Sequence, residues 1–229
     1  MPLVLLFKPT FENYRLIFKR TSFGLYFINS LIIAFGATLV GLILGLPCAY
    51  GIAHYKKEKL GLLILSARIL PMMAFLVPWF IIFSKLELKD TYISLILAHS
   101  TITLPLITWI MIGFFEEIPV ALSEAAHIDG CSPYQAFLKI ALPLSLPGIA
   151  TSSILSIIFS LNDLLFALVL AGPNTSTLPL AIFNFISFSQ VDWGQLNAAA
   201  TLVTLPVILL VFIIQKYIVK GLTMGAVKE

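Results

Sequence analysis

Five long runs of apolar residues, separated by short polar segments, dominate the chain. They cover residues 26–50, 60–83, 92–115, 148–171 and 196–219. Each run is long enough for a membrane-spanning helix, which needs about 20 mainly apolar residues. The apolar positions follow one another without the alternation that is typical of barrel strands. The pattern therefore predicts an all-α, polytopic membrane protein with about five spans.

The composition agrees with a bilayer environment and excludes several other classes of protein. Hydrophobic residues make up 59% of the chain and charged residues only 11%, whereas roughly a quarter of the residues in soluble domains are charged. A net charge of +3, scattered along the chain, forms no basic patch for nucleic acid. Cys48 and Cys131 suggest no disulfide. Because no linker divides the sequence, we expect one membrane domain over residues 26–219.

The basic residues indicate an orientation, since cytoplasmic loops of membrane proteins are enriched in Lys and Arg. Residues 54–59 contain three lysines and predict a cytoplasmic loop. The same assignment gives a cytoplasmic tail at residues 220–229. It leaves residues 1–25 as an extracytoplasmic or interfacial segment, although that segment is itself basic. Its basic residues are Lys8, Arg15, Lys19 and Arg20.

The polar loop after the third apolar run, residues 116–147, contains signals for two short helices. A helix is predicted over residues 119–129, because Pro119 suits a first turn and Gly130 permits the positive φ that ends a helix. Ser132 then caps a second short helix with Pro133 at its first position. An amphipathic helix lying on the membrane is the alternative. However, the loop is acidic on balance, so anionic lipid would repel it.

The order of residues in this loop resembles the EAA loop of bacterial ATP-binding-cassette importer permeases. Glu124-Ala125-Ala126 leads to Asp129-Gly130, and Ile140-Ala141-Leu142-Pro143 begins ten residues after that glycine. We therefore refer to residues 116–147 as the EAA loop. The resemblance implies the type I importer permease fold and contact with an ATPase. The residues that it assigns to that contact are Glu124, Ala125, Ala126, Asp129, Gly130, Leu142 and Pro143.

Motifs elsewhere extend the resemblance over nearly the whole chain. Asn29-Ser30 and Asp90-Thr91-Tyr92 resemble the segments that precede spans in these permeases. Asp192-Trp193-Gly194 and the C-terminal Gly-Ala-Val-Lys resemble the carbohydrate branch, specifically the maltose-type second permease subunit. That branch implies that Gly225, Ala226, Val227 and Lys228 also contact the ATPase. Members of the family start with one more helix, so we expect that helix to be absent from this sequence, or residues 1–7 to be the end of a shortened one.

Polar residues inside the apolar runs are candidates for a solute path, because such groups are costly in a membrane. Asn162 and Asp163 could hydrogen-bond sugar hydroxyls in a wet cavity, or Asp163 could pair internally or border a permease contact. Leu161 replaces the aromatic residue of the family at this motif, which leaves the stacking surface for a sugar ring unassigned. Arg68 requires a partner or must reach the interface. His99 has no second ligand three or four residues later, so no metal is predicted.

These observations predict a non-catalytic transmembrane subunit of a sugar importer in the bacterial inner membrane. The chain has no Gly-x-x-x-x-Gly-Lys phosphate loop, so two separate ATPase subunits would hydrolyse ATP. The resemblance further implies a second permease subunit, an extracytoplasmic sugar-binding protein and no cofactor. The alternatives are an importer of another solute, such as a sugar phosphate or polyamine, and an ion channel or proton-coupled carrier.

Overall fold

A computed structural model of the chain describes residues 10–183 and 192–225, and all regular elements in these ranges are helical. In chain order the helices are α1 (Glu12–Arg20), α2 (Phe23–His54), α3 (Glu58–Ser66), α4 (Met73–Lys85), α5 (Tyr92–Glu116), α6 (Val120–Ile128), α7 (Pro133–Ala136), α8 (Leu142–Leu144), α9 (Leu146–Leu161), α10 (Leu165–Leu170), α11 (Leu178–Phe183) and α12 (Trp193–Gly225). A π-helical turn, Phe137–Ala141, joins α7 to α8. The predicted all-helical fold is confirmed.

Three of the five predicted spans form single helices that are long and apolar enough to cross a membrane, namely α2, α5 and α12. The helix α12 continues through Gly225, so our prediction that it ends at residue 219 is wrong. No proline follows Pro206. One glycine in a helix costs only about 1 kcal/mol, which does not stop a helix of 33 residues.

The other two predicted spans are broken into shorter helices, one of them at Pro71, where the proline predicts a kink. The run at residues 60–83 divides into α3 and α4 at a turn over residues 67–72 that contains Arg68 and Pro71. Proline disfavours helical geometry in the residue before it, so the turn has a local cause. The run at residues 148–171 divides into α9 and α10. Here the Asp163 carboxylate accepts the backbone N–H of Phe166 at 3.1 Å and thereby competes with the helical pattern.

The end of the EAA loop turns sharply into the next helix. Residues 133–144 and α9 meet at an angle of 76° and qualify as a fourth span only if the bent pair is taken together. Ser145 lies at the bend, and its backbone N–H donates to the Ala141 carbonyl at 3.0 Å. The loop is thus continuous with α9 through a hydrogen-bonded corner.

Close packing of α2 on α5 forms the centre of the bundle. A methyl group on Gly36 would lie 2.6 Å from Ile96 Cδ1, and one on Gly41 would lie 2.7 Å from Ile107 Cδ1. Small residues therefore allow the two helices to approach closely. The Thr103 hydroxyl also donates to the Ala37 carbonyl at 2.9 Å across this interface. These contacts make α2 and α5 the rigid centre around which the other helices pack.

Gly148 at the start of α9 is expected to be intolerant of a larger side chain. A methyl group there would lie 2.5 Å from Phe114 Cγ, an atom too near the backbone to swing aside. Gly148→Ala should therefore destabilise the protein by about 1–3 kcal/mol, as overpacking does. Thermal unfolding of detergent-solubilised protein measures the effect.

Gly113→Ala is the matched control for this substitution. Gly113 also lies in a helix, but no atom would come within 4 Å of its added methyl group. Its replacement should leave the unfolding temperature unchanged or raise it, because alanine is the better helix former. Equal unfolding temperatures for both variants would contradict the close contact at Gly148.

Candidate coupling and translocation site

The EAA loop adopts the two-helix geometry that its sequence predicted. The first helix, α6, ends at Ile128, and Gly130 has a φ of +84°, in the left-handed region that favours glycine. The Ser132 hydroxyl accepts the Gln135 backbone N–H, and the Gln135 side chain accepts the Ser132 N–H. This reciprocal capping box fixes the start of α7. A short, well-defined loop therefore follows the Glu-Ala-Ala sequence.

Most of the residues assigned to ATPase contact lie on the surface. Glu124, Ala125, Asp129, Gly130 and Pro143 are exposed, and Leu142 is half-buried. The exception is Ala126, which is 5% exposed and packs against its own chain. A small side chain at this position lets α6 lie close to the loop beneath it.

Two large side chains extend the exposed surface of the EAA loop. Ile128 is 87% exposed and Tyr134 is 67% exposed. Neither belongs to the residues that the family resemblance assigns to ATPase contact. Exposed large apolar groups beside an acidic face are typical of a protein contact. The loop thus presents a mixed apolar and acidic surface.

An aromatic junction connects the EAA loop to the helical bundle. Phe137, in the π-helical turn, is buried, and its ring centroid lies 5.0 Å from that of Tyr50 on α2. The Tyr50 ring in turn lies 5.5 Å from Phe115 at the end of α5. Rings at these separations are in favourable contact. Movement of the EAA loop would therefore be transmitted to both α2 and α5.

A cavity of about 470 Å³ lies beside this junction, between the loop after α2 and the start of α6. Its polar lining includes Lys56, Glu58, Glu116 and Ser123. The cavity separates α6 from the bundle on one side. The aromatic junction is one packed contact between the EAA loop and the bundle, and Ala141 belongs to the same buried apolar cluster.

The structure separates Asn162 from Asp163, the two residues predicted to line a solute path. Asn162 is exposed, and its Nδ2 donates to the Ile158 carbonyl at 2.8 Å. Asp163 is only 5% exposed, and its Oδ2 lies 3.4 Å from His99 Nε2. The other ring nitrogen of His99 lies 2.6 Å from the Ser160 hydroxyl. The internal pairing that the sequence left open is thus present for Asp163, and only Asn162 faces outward.

At the end of the bundle away from the EAA loop, Asp90 holds the segment after α10. Its carboxylate accepts hydrogen bonds from the Gly172 and Thr175 N–H groups, both at 3.0 Å, and from the Thr175 hydroxyl at 2.7 Å. The Asn174 amide donates to it at 2.8 Å. Desolvation raises the pKa of the Asp90 carboxyl, but hydrogen bonds from Thr175 and Asn174 outweigh it and lower the pKa below its ordinary value.

Asn29 and Ser30 complete this far-end clasp, which consists of Asn29, Ser30, Asp90 and Tyr92 around residues 172–178. Asn29 Nδ2 donates to the Asn174 and Ser176 carbonyls at 3.0 and 2.9 Å, and the Tyr92 hydroxyl donates to Asn29 Oδ1. Ser30 Oγ accepts the Leu178 N–H at 2.9 Å. The resemblance to family motifs pointed to the residues of the clasp. It did not predict that they share residues 172–178 as a common partner.

The predicted contacts of the C-terminal tail are mostly outside the described residues. Gly225 is the last residue of α12. Ala226, Val227 and Lys228 lie outside residues 10–183 and 192–225. Their assignment to ATPase contact therefore remains a prediction.

Comparison with known proteins gives consistent results in sequence and in fold. The family model described as binding-protein-dependent transport system inner membrane component matches residues 41–224. The probable ABC transporter permease protein y4oR of Sinorhizobium fredii is 40% identical over 230 residues, covering 100% of this chain and 83% of that protein. The trehalose transport system permease protein SugB of Mycobacterium tuberculosis is 41% identical over 225 residues, covering 96% of this chain and 82% of that protein.

The fold is also similar to that of a solved transporter. A chain in the crystal structure of a bacterial ABC transporter involved in the import of the acidic polysaccharide alginate superposes with a TM-score of 0.76. The two chains are 22% identical, and the match covers 93% of this chain and 81% of the other. At this level of identity the likeness concerns the fold alone.

The far-end clasp should lose stability when the charge of Asp90 is removed. Asp90→Asn keeps the shape of the side chain. Its amide nitrogen is a donor, however, and cannot accept hydrogen bonds from the backbone N–H groups that face it. We expect a loss of about 1–2 kcal/mol, since the charged hydrogen bonds are partly exposed to solvent. Thermal unfolding at neutral pH measures this loss, with Glu87→Gln in the same loop as the control.

The pH dependence of the same experiment follows from the lowered pKa of Asp90. The folded state favours the ionised carboxylate, so its contribution to stability is present above the ordinary pKa of about 4. That contribution is lost as the pH falls through the lowered value of the folded state. Wild type and Asp90→Asn should therefore converge in stability in acid, and a constant difference at all pH values would contradict a charge effect.

Proposed function

Because the chain belongs to the family of binding-protein-dependent transport system inner membrane components, we propose that it is the transmembrane subunit of an ATP-driven importer for a di- or oligosaccharide. The family assigns it a transport role in the inner membrane as a multi-pass permease. The observation that carries the sugar assignment is the 41% identity to a trehalose transport permease over 96% of this chain. The carbohydrate-branch motifs at the C-terminal end support the same substrate class.

The EAA loop is proposed to dock on an ATPase subunit in the cytoplasm. Glu124 and Asp129 would supply charge, while the exposed Ile128 would enter an apolar cleft on the partner. Ala126 would act indirectly, because it faces its own chain and holds α6 in place. Gly130 would set the angle between α6 and α7 through its left-handed backbone. Docking of this surface is the step that links ATP hydrolysis to the bundle.

Movement of the docked loop would reach the membrane helices through the aromatic junction. Phe137 contacts Tyr50, and Tyr50 contacts Phe115. Closure of the two ATPase subunits would therefore shift α2 and α5 together as one packed pair. A rigid-body shift of this kind switches access to a central cavity from one side of the membrane to the other.

The complete importer would contain further subunits. We propose a second permease chain, two ATPase subunits and an extracytoplasmic sugar-binding protein as partners. The binding protein would meet the end of the bundle that carries the far-end clasp, because the EAA loop occupies the opposite end. Asn162, which is exposed, would line the solute path.

Reconstitution tests this function directly. The chain is assembled with its partner permease, ATPases and binding protein in proteoliposomes, and uptake of trehalose, maltose and longer glucosides is measured. ATP-dependent uptake that needs the binding protein is the expected result. Uptake of a sugar phosphate or polyamine alone would contradict the sugar assignment. Flux driven by an ion gradient through this chain alone would instead support a channel or carrier that uses His99 and Asp163.

Substitution of Gly130 should uncouple ATP hydrolysis from transport. Gly130→Val places a β-branched side chain at a φ of +84°, where only glycine is free of strain. A left-handed residue other than glycine costs roughly 1–2 kcal/mol, which is enough to reorient the loop. We expect membrane insertion to persist while sugar uptake falls at least about tenfold.

Gly130→Asn is the matched control, because asparagine tolerates the left-handed region. No atom lies within 4 Å of an added Cβ at this position, so crowding does not complicate the comparison. Uptake by Gly130→Asn should exceed that of Gly130→Val in equally assembled complexes. If both variants transport at the wild-type rate, the loop angle does not control coupling.

Removal of residues 226–229 tests the proposed tail contact. These residues follow α12, so their deletion leaves the described helix intact. Stimulation of the ATPase by sugar-loaded binding protein should fall while the complex still assembles. Lys228→Glu tests whether the charge of the tail matters. Unchanged stimulation of the ATPase in the truncated complex would reject the contact.

A further inference from the structure

A cavity of about 360 Å³ lies where the two broken helices of the bundle meet. Its lining includes residues from the turn between α3 and α4 and residues on either side of the break between α9 and α10. The members that matter for the argument are Arg68, Phe75, Thr101, Phe159 and Phe166. The volume falls within the range of about 300–1,000 Å³ that is usual for small-molecule sites.

The cavity faces protein or water rather than lipid. Irregular backbone at membrane depth is tolerated only where it is buried in protein or lines a wet cavity, because lipid offers no hydrogen bonds. The helices are interrupted at the turn over residues 67–72 and after Leu161, so we expect protein or water to cover both interruptions. The exposed Arg68 strengthens the argument, because a guanidinium facing hydrocarbon is costly. In secondary transporters, discontinuous helices form the substrate sites.

Arg68 and Phe159 form the polar and aromatic parts of this cavity. The guanidinium carbon of Arg68 lies 5.5 Å from the centroid of the Phe159 ring, in cation–π range. Within residues 10–183 and 192–212, no carboxylate lies within ion-pair distance of Arg68. The guanidinium donors therefore remain available to hydroxyl oxygens of a ligand. The Phe159 side chain is 45% exposed, so part of its ring is also available.

Thr101 is a further polar group that lines the cavity. Its Oγ1 accepts a hydrogen bond from Trp79 Nε1 at 3.1 Å, which leaves its own hydroxyl proton free to donate. Asn162 lies three residues after Phe159 and is exposed, but it is not among the residues that line the cavity, and its Nδ2 donates to the Ile158 carbonyl. The cavity itself thus combines hydrogen-bond donors with an exposed ring.

We infer that this cavity is a sugar subsite supplied by this chain, in which a pyranose ring stacks on Phe159 and its hydroxyls bond to Arg68 and Thr101. The inference rests on the proposed function and deepens it. The subsite also supplies the aromatic ring that position 161 lacks. Leu161 is only 4% exposed and cannot stack on a solute. Phe159, two positions earlier, presents the ring instead.

Sugar protection of an introduced thiol tests the subsite in the complete importer. Phe159→Cys is made in a complex whose other accessible cysteines are replaced, and its reaction with a water-soluble maleimide is followed. A transported sugar at high concentration should slow labelling at least about threefold, whereas a sugar that is not transported should have no effect. Equal labelling with both sugars would overturn the subsite, as would complete resistance to the reagent in every nucleotide state.

Phe159→Leu and Arg68→Gln test the same subsite by transport. Each should lower maximal sugar uptake by about three- to tenfold, the range expected for one lost aromatic or cation–π contact. Stimulation of the ATPase by loaded binding protein should persist, so fewer sugars move for each ATP. A purely structural role would instead lower assembly and ATPase activity together, and that outcome would count against the subsite.

Phe80→Leu is the matched control. Phe80 on α4 is 40% exposed and lies beneath the Lys89 ammonium at 4.5 Å, so it has a similar environment outside the cavity. Its replacement should leave sugar uptake unchanged. If the wild-type complex imports no sugar, the proposed function fails. If it does and Phe159→Leu transports like Phe80→Leu, the proposed function stands and the subsite is wrong.

Discussion

Backbone groups at membrane depth must find hydrogen-bond partners, and this constraint determines how the broken helices of the bundle are arranged. In the turn after α3, the Arg68 N–H donates to the Leu65 carbonyl at 2.9 Å and the Ile69 N–H donates to the Ser66 carbonyl at 3.0 Å. At the second break, the Asp163 carboxylate accepts the Phe166 N–H. These hydrogen bonds satisfy some of the backbone groups at each break. The remaining backbone groups need protein or water nearby. The breaks therefore fix which sides of α3, α4, α9 and α10 turn away from lipid.

Helix α5 connects the two ends of the molecule. Phe115 at its last turn joins the aromatic junction of the EAA loop, and Tyr92 at its first residue belongs to the far-end clasp. Between them, Gly36 and Gly41 allow α2 to pack tightly along it. A packed core is stiff, because its side chains interdigitate at crystal-like density. We therefore expect α5 to carry a displacement at the EAA loop towards the opposite end.

The parts of the structure that the sequence predicted correctly depend on local chemistry. Gly130 and the Ser132 cap act within a few residues, so their effects can be read directly from the order of side chains. Pro71 predicts a kink by the same local chemistry, but the break after Leu161 escaped prediction because apolar periodicity does not register a turn made by the Asp163 carboxylate. The clasp escaped because Asp90 bonds to Gly172, 82 positions away, and no local signal specifies such a partner. Tertiary contacts therefore account for most of what the sequence left unassigned.

Asn162 and Asp163 illustrate how a helix break gives adjacent residues different roles. In a continuous helix, neighbouring side chains point about 100° apart, and the break after Leu161 adds a change of direction. Asp163 turns inward, where a buried acid is tolerated only with partners, and finds His99 and the Phe166 N–H. The contact with His99 places the break against α5. Asn162 is left outward beside Phe159, where a neutral amide can bond to a passing solute without the cost of an unpaired charge.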